Sequence, residues 1–382
     1  MRITTNARAT IFAFLTVLLL LAPGREAFGQ VLEDLRLFGY FQGRLLYSNE
    51  KGVPEGPEQK AGFTLQQLNL MFAKDLGSDF SAFGNIELTN SFSTENTWGS
   101  LKLEEAWMRY NHSSAFNVKV GLQIPIFNNL NEIKNRTPLL PYVGRPSVYE
   151  TAFSELLPIS VFVPQQAFFQ IYGALPVLGA RVDYAAYVGN QDAFITSAPV
   201  GSAIAGSDTT TAKLVGGRLG LRYKSLKAGV SGTIDHDNLS FLSLGEVNRR
   251  RLGADLSFTF KRFFFEGELI AVLYDPTELQ QATLNLISLT TELLSNNLDK
   301  LFYYALVGYH VTDQWFVYAY HDYLEDKVLA SFQGGYSVYS VGGGYKPIDP
   351  IVVKLQYIRA RTNSDLLNYR GNHLFAAVSV LF

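Results

Sequence analysis

The residue types and short motifs that usually carry enzyme chemistry are sparse in this sequence. The histidines are His112, His236, His310, His321 and His373, and none has the spacing of a metal site. There is no cysteine, so no disulfide and no thiolate site can form. The chain contains no phosphate-binding loop, no Gly-x-Ser-x-Gly elbow and no dinucleotide fingerprint. We therefore expect no metal, no cofactor and no enzymatic activity.

Asp235, His236 and Asp237 form the one cluster that could do acid–base chemistry. They lie at the end of a predicted strand, and one interpretation is a proteolytic site built from Asp and His. Acidic residues and histidines are also ordinary on a solvated rim, and we take that interpretation as the working hypothesis.

The longest irregular segment carries charges that could act on ions. Residues 126–165 far exceed the length of an ordinary connection, and five prolines stiffen them. The cations Lys134, Arg136 and Arg145 lie within this segment. Charged side chains around a narrow passage select ions by sign. Two interpretations stay open: the loop narrows a passage, or it lies outside and covers the fold or holds a neighbouring subunit.

The segments that would position these side chains alternate with a period of two. In Arg251–Phe260, apolar side chains at alternate positions oppose Arg251, Asp255, Ser257 and Thr259. Successive side chains of a strand point to opposite faces, so the pattern predicts strands with one apolar and one polar face. About 16 such segments follow one another. They begin near residues 36, 66, 79, 103, 116, 167, 180, 214, 226, 251, 263, 301, 315, 336, 351 and 372.

The connections alternate as strictly as the strands. Seven short polar links and eight longer segments follow each other in turn. Barrels of the outer membrane combine short periplasmic turns with long outer loops, whereas a soluble β-sandwich predicts no such alternation. The expected fold class is therefore all-β: a transmembrane antiparallel β-barrel of about 16 strands, with both termini on the periplasmic side.

Composition supports a barrel in the bacterial outer membrane. Aromatic residues make up 14% of the chain, with 28 Phe and 21 Tyr, yet no apolar run of helix length follows residue 29. A barrel gives this profile because its lipid face is apolar and its lumen face is polar. The net charge of −2 excludes a strongly basic nucleic-acid binder, so no nucleic-acid partner is expected.

Both ends of the chain carry predicted targeting signals. Residues 1–29 combine Arg2 and Arg8 with an apolar run and a small-residue cleavage site, which predicts a signal peptide and a mature barrel over residues 30–382. At the other end, apolar residues at alternate positions finish on Phe382. This ending resembles the signal that the barrel-assembly machinery recognises, so Phe382 is the predicted assembly signal.

One outer loop is expected to contain a helix over residues 276–296. Asp275 is a capping residue, Pro276 takes the first helical position and Glu278 the third. Apolar residues then recur at helical spacing to about Asn296. The predicted role is packing over the barrel rim, with gating as the alternative.

Alternation also predicts which charges point into the barrel. Basic groups are in slight excess there, which favours a weak preference for anions. The predicted inward cations are Arg36, Arg44, Lys119, Arg218, Arg222, Arg249, Arg251 and Lys354, and the predicted inward acids are Glu87, Asp183, Asp235, Asp255, Glu266 and Glu268.

Three stretches resemble a known family of channels. Lys119–Phe127 (KVGLQIPIF) is similar to the strand and Pro-Phe pair that precede the long third loop in the phosphate-selective porin O and P family. Phe169–Gly173 and Asp183–Asn190 look like the paired strands that follow it. The resemblance implies a third loop inside the lumen and a homotrimer. The step from Gly121 to Pro125 is one residue shorter than in the family, and a dense arginine series is missing. The resemblance therefore implies a porin more strongly than it implies specificity for phosphate.

We expect an outer-membrane porin for passive diffusion of small hydrophilic solutes, with weak anion preference. The alternatives are a channel specific for phosphate or another anion, and a non-channel surface barrel that serves as an adhesin or scaffold. Expected partners are outer-membrane lipid and lipopolysaccharide, the barrel-assembly machinery, and small solutes or anions. The pore candidates are Lys134, Arg136, Arg145, Arg36, Arg44, Lys119, Arg218 and Arg222.

Overall fold

The structure is a computed structural model that describes most of the predicted barrel. The predicted signal peptide 1–29 lies outside the described residues, as do parts of several predicted outer loops. The described ranges are 34–51, 61–89, 100–150, 161–190, 210–291, 294–328, 334–364 and 368–382.

Sixteen antiparallel strands form a closed barrel, which confirms the predicted fold class and strand number. Each strand pairs with its neighbours in the chain, and β1 pairs with β16 to close the sheet. The strands are β1 (Leu35–Lys51), β2 (Ala61–Asp75), β3 (Phe80–Thr89), β4 (Ser100–Ser113), β5 (Phe116–Gln123), β6 (Ala167–Val177), β7 (Ala180–Gly189), β8 (Leu214–Tyr223), β9 (Leu226–Asn238), β10 (Glu246–Phe260), β11 (Phe263–Asp275), β12 (Lys300–His310), β13 (Trp315–Asp326), β14 (Tyr336–Ile348), β15 (Ile351–Thr362) and β16 (Arg370–Leu381).

Alternation along each strand separates a lipid face from a lumen face. On β15, Val353, Leu355 and Tyr357 are exposed on the outside of the barrel. Lys354 and Gln356, which lie between them, are buried inside it. A closed barrel leaves no sheet edge unpaired, so the backbone hydrogen bonds are satisfied where the apolar face meets lipid.

The short connections are tight turns. Between β6 and β7, Leu178 and Gly179 have φ of 49° and 80°, the positive values of a two-residue hairpin turn. The longer connections join strand ends at the opposite end of the barrel. This asymmetry identifies the two ends of the barrel by the rule for outer-membrane barrels.

The outer loop after β11 contains a helix, α1 (Glu278–Thr290), which is shorter than predicted. The N-cap is Thr277, not Asp275, because the Thr277 hydroxyl accepts from the Gln280 backbone N–H while the Gln280 side chain accepts from the Thr277 N–H. The helix ends six residues before the predicted Asn296. Its buried Leu284 packs on an apolar cluster of the rim. No helix in the described ranges is long and apolar enough to span a membrane.

Candidate pore and its inserted loop

The long third loop lies inside the barrel over its described parts, 124–150 and 161–166. Most of these residues are buried, and their partners are inward-facing side chains of the wall. The chain leaves β5 beside Gly121, which has φ of 122° and lies against the Ala106 carbonyl, where a Cβ would collide. Two short 3₁₀ helices, Thr137–Leu139 and Ser147–Tyr149, give the loop its local shape, and a proline precedes or opens each.

An apolar cluster joins the loop to one half of the wall. Loop residues such as Tyr142 and Phe162 pack against aromatic side chains of β12 and β13, with Tyr142 edge-on to Tyr318 and Tyr320. The lumen on this side is therefore filled by packed side chains. The cluster contains Phe127, Leu130, Leu140, Tyr142, Val143, Val148, Tyr149, Val161, Phe162 and Val163 from the loop, and Phe302, Tyr304, Tyr318, Tyr320, Ile358 and Phe375 from the wall.

Buried polar side chains of the wall hold the loop backbone. The Gln356 Oε1 accepts from the N–H groups of Val143 and Gly144, at 2.7 Å each, and its Nε2 donates to the Gly144 carbonyl at 3.0 Å. Asp322 accepts from the Ser147 N–H at 3.0 Å and from its hydroxyl at 2.7 Å. These bonds matter because a buried backbone group without a partner is costly.

Glu268 holds the loop in the same way. One carboxylate oxygen accepts from the Leu130 N–H at 2.8 Å and the other from the Tyr149 hydroxyl at 2.7 Å. Burial raises the pKa of the Tyr149 hydroxyl well above its usual value, so it stays a proton donor to this carboxylate. Glu268 was predicted to point inward, but its use as a loop anchor was not predicted.

Several predicted inward cations serve the loop or are neutralised by carboxylates. Lys354 donates to the Thr137 carbonyl at 2.6 Å, and Arg251 donates to the Val161 carbonyl at 2.7 Å. Arg249 lies 2.6 Å from Asp235, and Arg218 lies 2.6 Å from Asp255. An ion pair presents little net charge to a passing solute.

The cluster Asp235, His236 and Asp237 is divided between the two faces of β9. Both carboxylates point inward and pair with Arg249, at 2.6 and 2.9 Å. The His236 ring lies 3.0 Å from Glu246 instead. This arrangement fits the rim interpretation, because the strand separates the ring from the carboxylates beside it in sequence. Among the described residues, no group of His, Asp and Glu has the geometry to hold a metal ion.

The three loop cations differ in their surroundings. Lys134 is buried and donates to the Asn131 side chain at 3.0 Å and to Gln165 at 2.9 Å. Arg145 is buried and donates to the Lys134 carbonyl at 2.8 Å. Arg136 is half-buried, and none of the side chains that the structure describes forms a hydrogen bond or an ion pair with its guanidinium.

Partly exposed charged and polar side chains lie on the wall opposite the apolar cluster. We call this group the polar strip: Arg109, Lys119, Tyr172, Asp183 and Arg222, on β4 to β8. The Lys119 ammonium lies 4.8 Å from the Trp107 ring centre, 5.3 Å from that of Tyr172 and 4.0 Å from the loop residue Glu132. Arg222 pairs with Asp183 and stays half-exposed.

The remaining predicted pore residues lie apart from the polar strip. Arg36 is at the periplasmic end, exposed and 3.3 Å from Asp75. Arg44 donates to the Thr64 hydroxyl at 3.2 Å on the β1 side of the loop. The sequence analysis did not identify the uncharged anchors Gln356 and Tyr149. The only sequence signal of Gln356 is a polar side chain at an inward strand position, and that of Tyr149 is a hydroxyl group within the loop.

Phe382 completes the closure of the barrel. Its backbone N–H donates to the Gly39 carbonyl at 3.0 Å, and its own carbonyl accepts from the Gly39 N–H at 2.8 Å. Its ring covers the position that a Gly39 side chain would occupy and remains half-exposed on the outside.

Comparison with known proteins places this fold among outer-membrane channels. No protein-family model matches the chain, and no curated protein matches it. The outer membrane channel DcaP of Acinetobacter baumannii superposes with a TM-score of 0.59 at 13% identity, over 91% of this chain and 97% of that one. The anion-selective porin from Comamonas acidovorans gives 0.61 at 11% identity, over 91% and 99%. OmpF of Salmonella typhi gives 0.58 at 11% identity, over 91% and 97%. The chain therefore has the 16-stranded barrel fold that these outer-membrane proteins share.

Proposed function

We propose that the chain is a bacterial outer-membrane porin for passive diffusion of small hydrophilic solutes. The observation that carries the proposal is the inserted loop, which is fastened to one half of the wall and faces the polar strip on the other. A fixed loop of this kind narrows the lumen without a moving part. The similarity in fold to an outer membrane channel and a porin supports the same function.

We infer a weak preference for anions from the charges that remain accessible. Neither Arg136 on the loop nor Arg109 on the strip forms an ion pair among the described residues; the loop carboxylate Glu132, which interacts with Arg136, lies 4.0 Å from Lys119. Glu268 and Asp322 are buried behind the loop. A cation beside a partly desolvated path attracts an anion more strongly than it would in bulk water. Lys134 and Arg145 act on ions indirectly in this proposal, by shaping the loop.

A planar-bilayer recording of the purified barrel tests the porin proposal. We expect the conductance to rise in steps as single barrels insert. In a KCl gradient, the sign of the reversal potential should show a higher permeability for chloride than for potassium. Barrels that insert into the bilayer without any conductance would contradict it and favour the non-channel surface barrel. A phosphate-specific channel, which is the finer reading of the family resemblance, predicts instead that phosphate blocks chloride current at low concentration.

The cellular setting belongs to the same proposal. A signal peptide of residues 1–29 would direct export, and Phe382 would be recognised by the barrel-assembly machinery. A homotrimer is supported by one barrel of the same fold, OmpT of Vibrio cholerae, which is described in a trimer form and gives a TM-score of 0.51. Cross-linking in membranes would test the trimer.

A further inference from the structure

The helix α1 exposes a row of apolar side chains on the face that points away from the barrel rim. Leu279, Leu286 and Leu289 are 79%, 63% and 85% exposed, and Ala282 lies exposed between the first two. Successive members of the row are three, four and three residues apart, a spacing that places them on one face of a helix. The opposite face carries Leu284, which is 1% exposed and packs on the rim. We call the four exposed positions the apolar seam.

The apolar seam is narrow, because polar side chains border it on both sides. Glu278 and Asn285 flank one edge, and Thr283 and Thr290 flank the other. An apolar stripe confined to about two positions in seven is the pattern by which one helix packs along another, whereas a helix that packs on a broad apolar surface has a wider apolar face. The seam therefore has the form of a contact between two helices.

Contacts with neighbouring segments hold α1 in place while its seam stays exposed. The Gln280 side-chain N–H group donates to the carbonyls of Leu244 at 2.9 Å and Glu246 at 2.8 Å. The Gln281 side chain donates to the Asn296 carbonyl at 3.1 Å. A helix of 13 residues is marginal on its own, so these bonds and the capping box preform it. A preformed helix loses little conformational entropy when it binds a partner.

The charge of α1 suits a second copy of the chain better than an anionic lipid surface. Residues 278–290 contain no Lys or Arg, and Glu278 is their one charged residue. Helices that lie on anionic membranes carry cations on their polar face, and α1 lacks this source of attraction. Two copies of α1 bring no like charges together when they pack antiparallel, because the two Glu278 carboxylates then lie at opposite ends. The helix dipoles also oppose each other in that arrangement.

We propose that the apolar seam binds the same seam of a second copy, so that α1 joins neighbouring barrels as an antiparallel helix pair. Such a contact is isologous and uses one self-complementary surface twice. In the pair, Ala282 faces Leu286 of the second copy, and Leu279 faces Leu289. So short a seam buries less than the roughly 800 Å² per partner of a standard interface. It therefore acts between barrels that the membrane already confines to one plane, and it depends neither on the proposed homotrimer nor on the proposed passage of solutes.

Disulfide trapping in outer membranes tests the pairing, since the chain has no cysteine of its own. Cells that express Ala282→Cys together with Leu286→Cys should yield a disulfide-linked dimer of the two variants on mild oxidation. Each variant alone should yield far less, because an antiparallel pair places neither position opposite itself. Leu289→Gln in both chains should lower the yield about tenfold or more, because burial of a leucine side chain contributes at least that factor to association.

Leu178→Gln in both chains is the matched control, because Leu178 is fully exposed in a turn at the opposite end of the barrel. We expect it to leave the yield unchanged, and heat-modifiable migration verifies that every variant is folded. Absence of the mixed dimer, equal yields from mixed and single variants, or an equal loss with Leu178→Gln would each overturn the proposal.

Lipid nanodiscs that hold one barrel each distinguish the second copy from other occupants of the seam. A cysteine at Leu286 should react there with an impermeant reagent, because no second copy is present to cover it. Shielding of this cysteine in single barrels would overturn the proposal and assign the seam to lipid or to another segment of the same chain.

Discussion

Replacement of Gln356 by alanine should release part of the inserted loop. This side chain is fully buried and accepts from the N–H groups of Val143 and Gly144 at once. It also donates to the Gly144 carbonyl, so the variant leaves three backbone groups of the loop without their partner. Each unsatisfied buried group costs about 1–3 kcal/mol, and water can reach the vacated space from the lumen.

The low end of that range therefore applies to each of the two N–H groups. The free energy that favours the docked loop over the undocked loop should fall by about 2 kcal/mol. A loss of this size lowers the ratio of docked to undocked loop about thirtyfold, since about 1.4 kcal/mol corresponds to a factor of ten. The barrel itself should persist, because its strand ladder does not depend on this side chain. Brief undocking should appear as noise in the open-channel current and as faster proteolysis within residues 124–166.

Gln67→Ala is the matched control for this experiment. Gln67 is also a buried glutamine of the wall, but it donates to Asn69 at 2.7 Å and to Glu87 at 2.8 Å and has no bond to the described parts of the loop. We expect its current noise and loop proteolysis to equal those of wild type. If Gln356→Ala behaves as wild type, or if both variants become equally noisy, the wall does not hold the loop in the way described.

Three further predictions concern assembly, stability and topology. Deletion of Phe382 removes both backbone bonds to Gly39, so less heat-modifiable barrel should reach the membrane; an unchanged level would show that the terminal residue is dispensable. Arg249→Met removes a buried partner of Asp235 and Asp237, so the free energy of unfolding measured in urea should fall by about 3–5 kcal/mol. The exposed Arg250→Met should lower it by under about 1 kcal/mol. Equal losses in the two variants would contradict the burial argument. A cysteine at Asn285 on α1 should react with an impermeant reagent on intact cells, and a cysteine at Ser225 should not. The reverse pattern would show that the barrel has the opposite orientation in the membrane.

The strands could be predicted from sequence because their signal is local. Alternation in β10 or β15 follows from which side chains meet lipid and which meet the lumen, and it needs no knowledge of distant contacts. Strand number and the order of short and long connections follow from the same pattern. The helix α1 was predicted too long because the apolar spacing continues after Thr290, where the chain has already left the helix.

The interior of the barrel could be predicted only in part, because its contacts join residues far apart in sequence. In the sequence, Lys134, Arg136 and Arg145 are three equivalent cations of one loop. The fold buries Lys134 and Arg145 and leaves Arg136 accessible. Alternation predicts that Arg249 points inward but cannot show that Asp235 lies beside it. Uncharged anchors such as Gln356 have no sequence signal beyond an inward position.

The reversal potential of Arg136→Glu in a planar bilayer with a KCl gradient tests most directly whether ions pass between the loop and the polar strip. A charge 4 Å from an ion interacts by about 4 kcal/mol at an effective dielectric constant of about 20, against about 1 kcal/mol in bulk water. We predict that the variant shifts the reversal potential toward cations while the matched outward change, Arg250→Glu, leaves it unchanged. An unaltered reversal potential and conductance in Arg136→Glu would contradict this path.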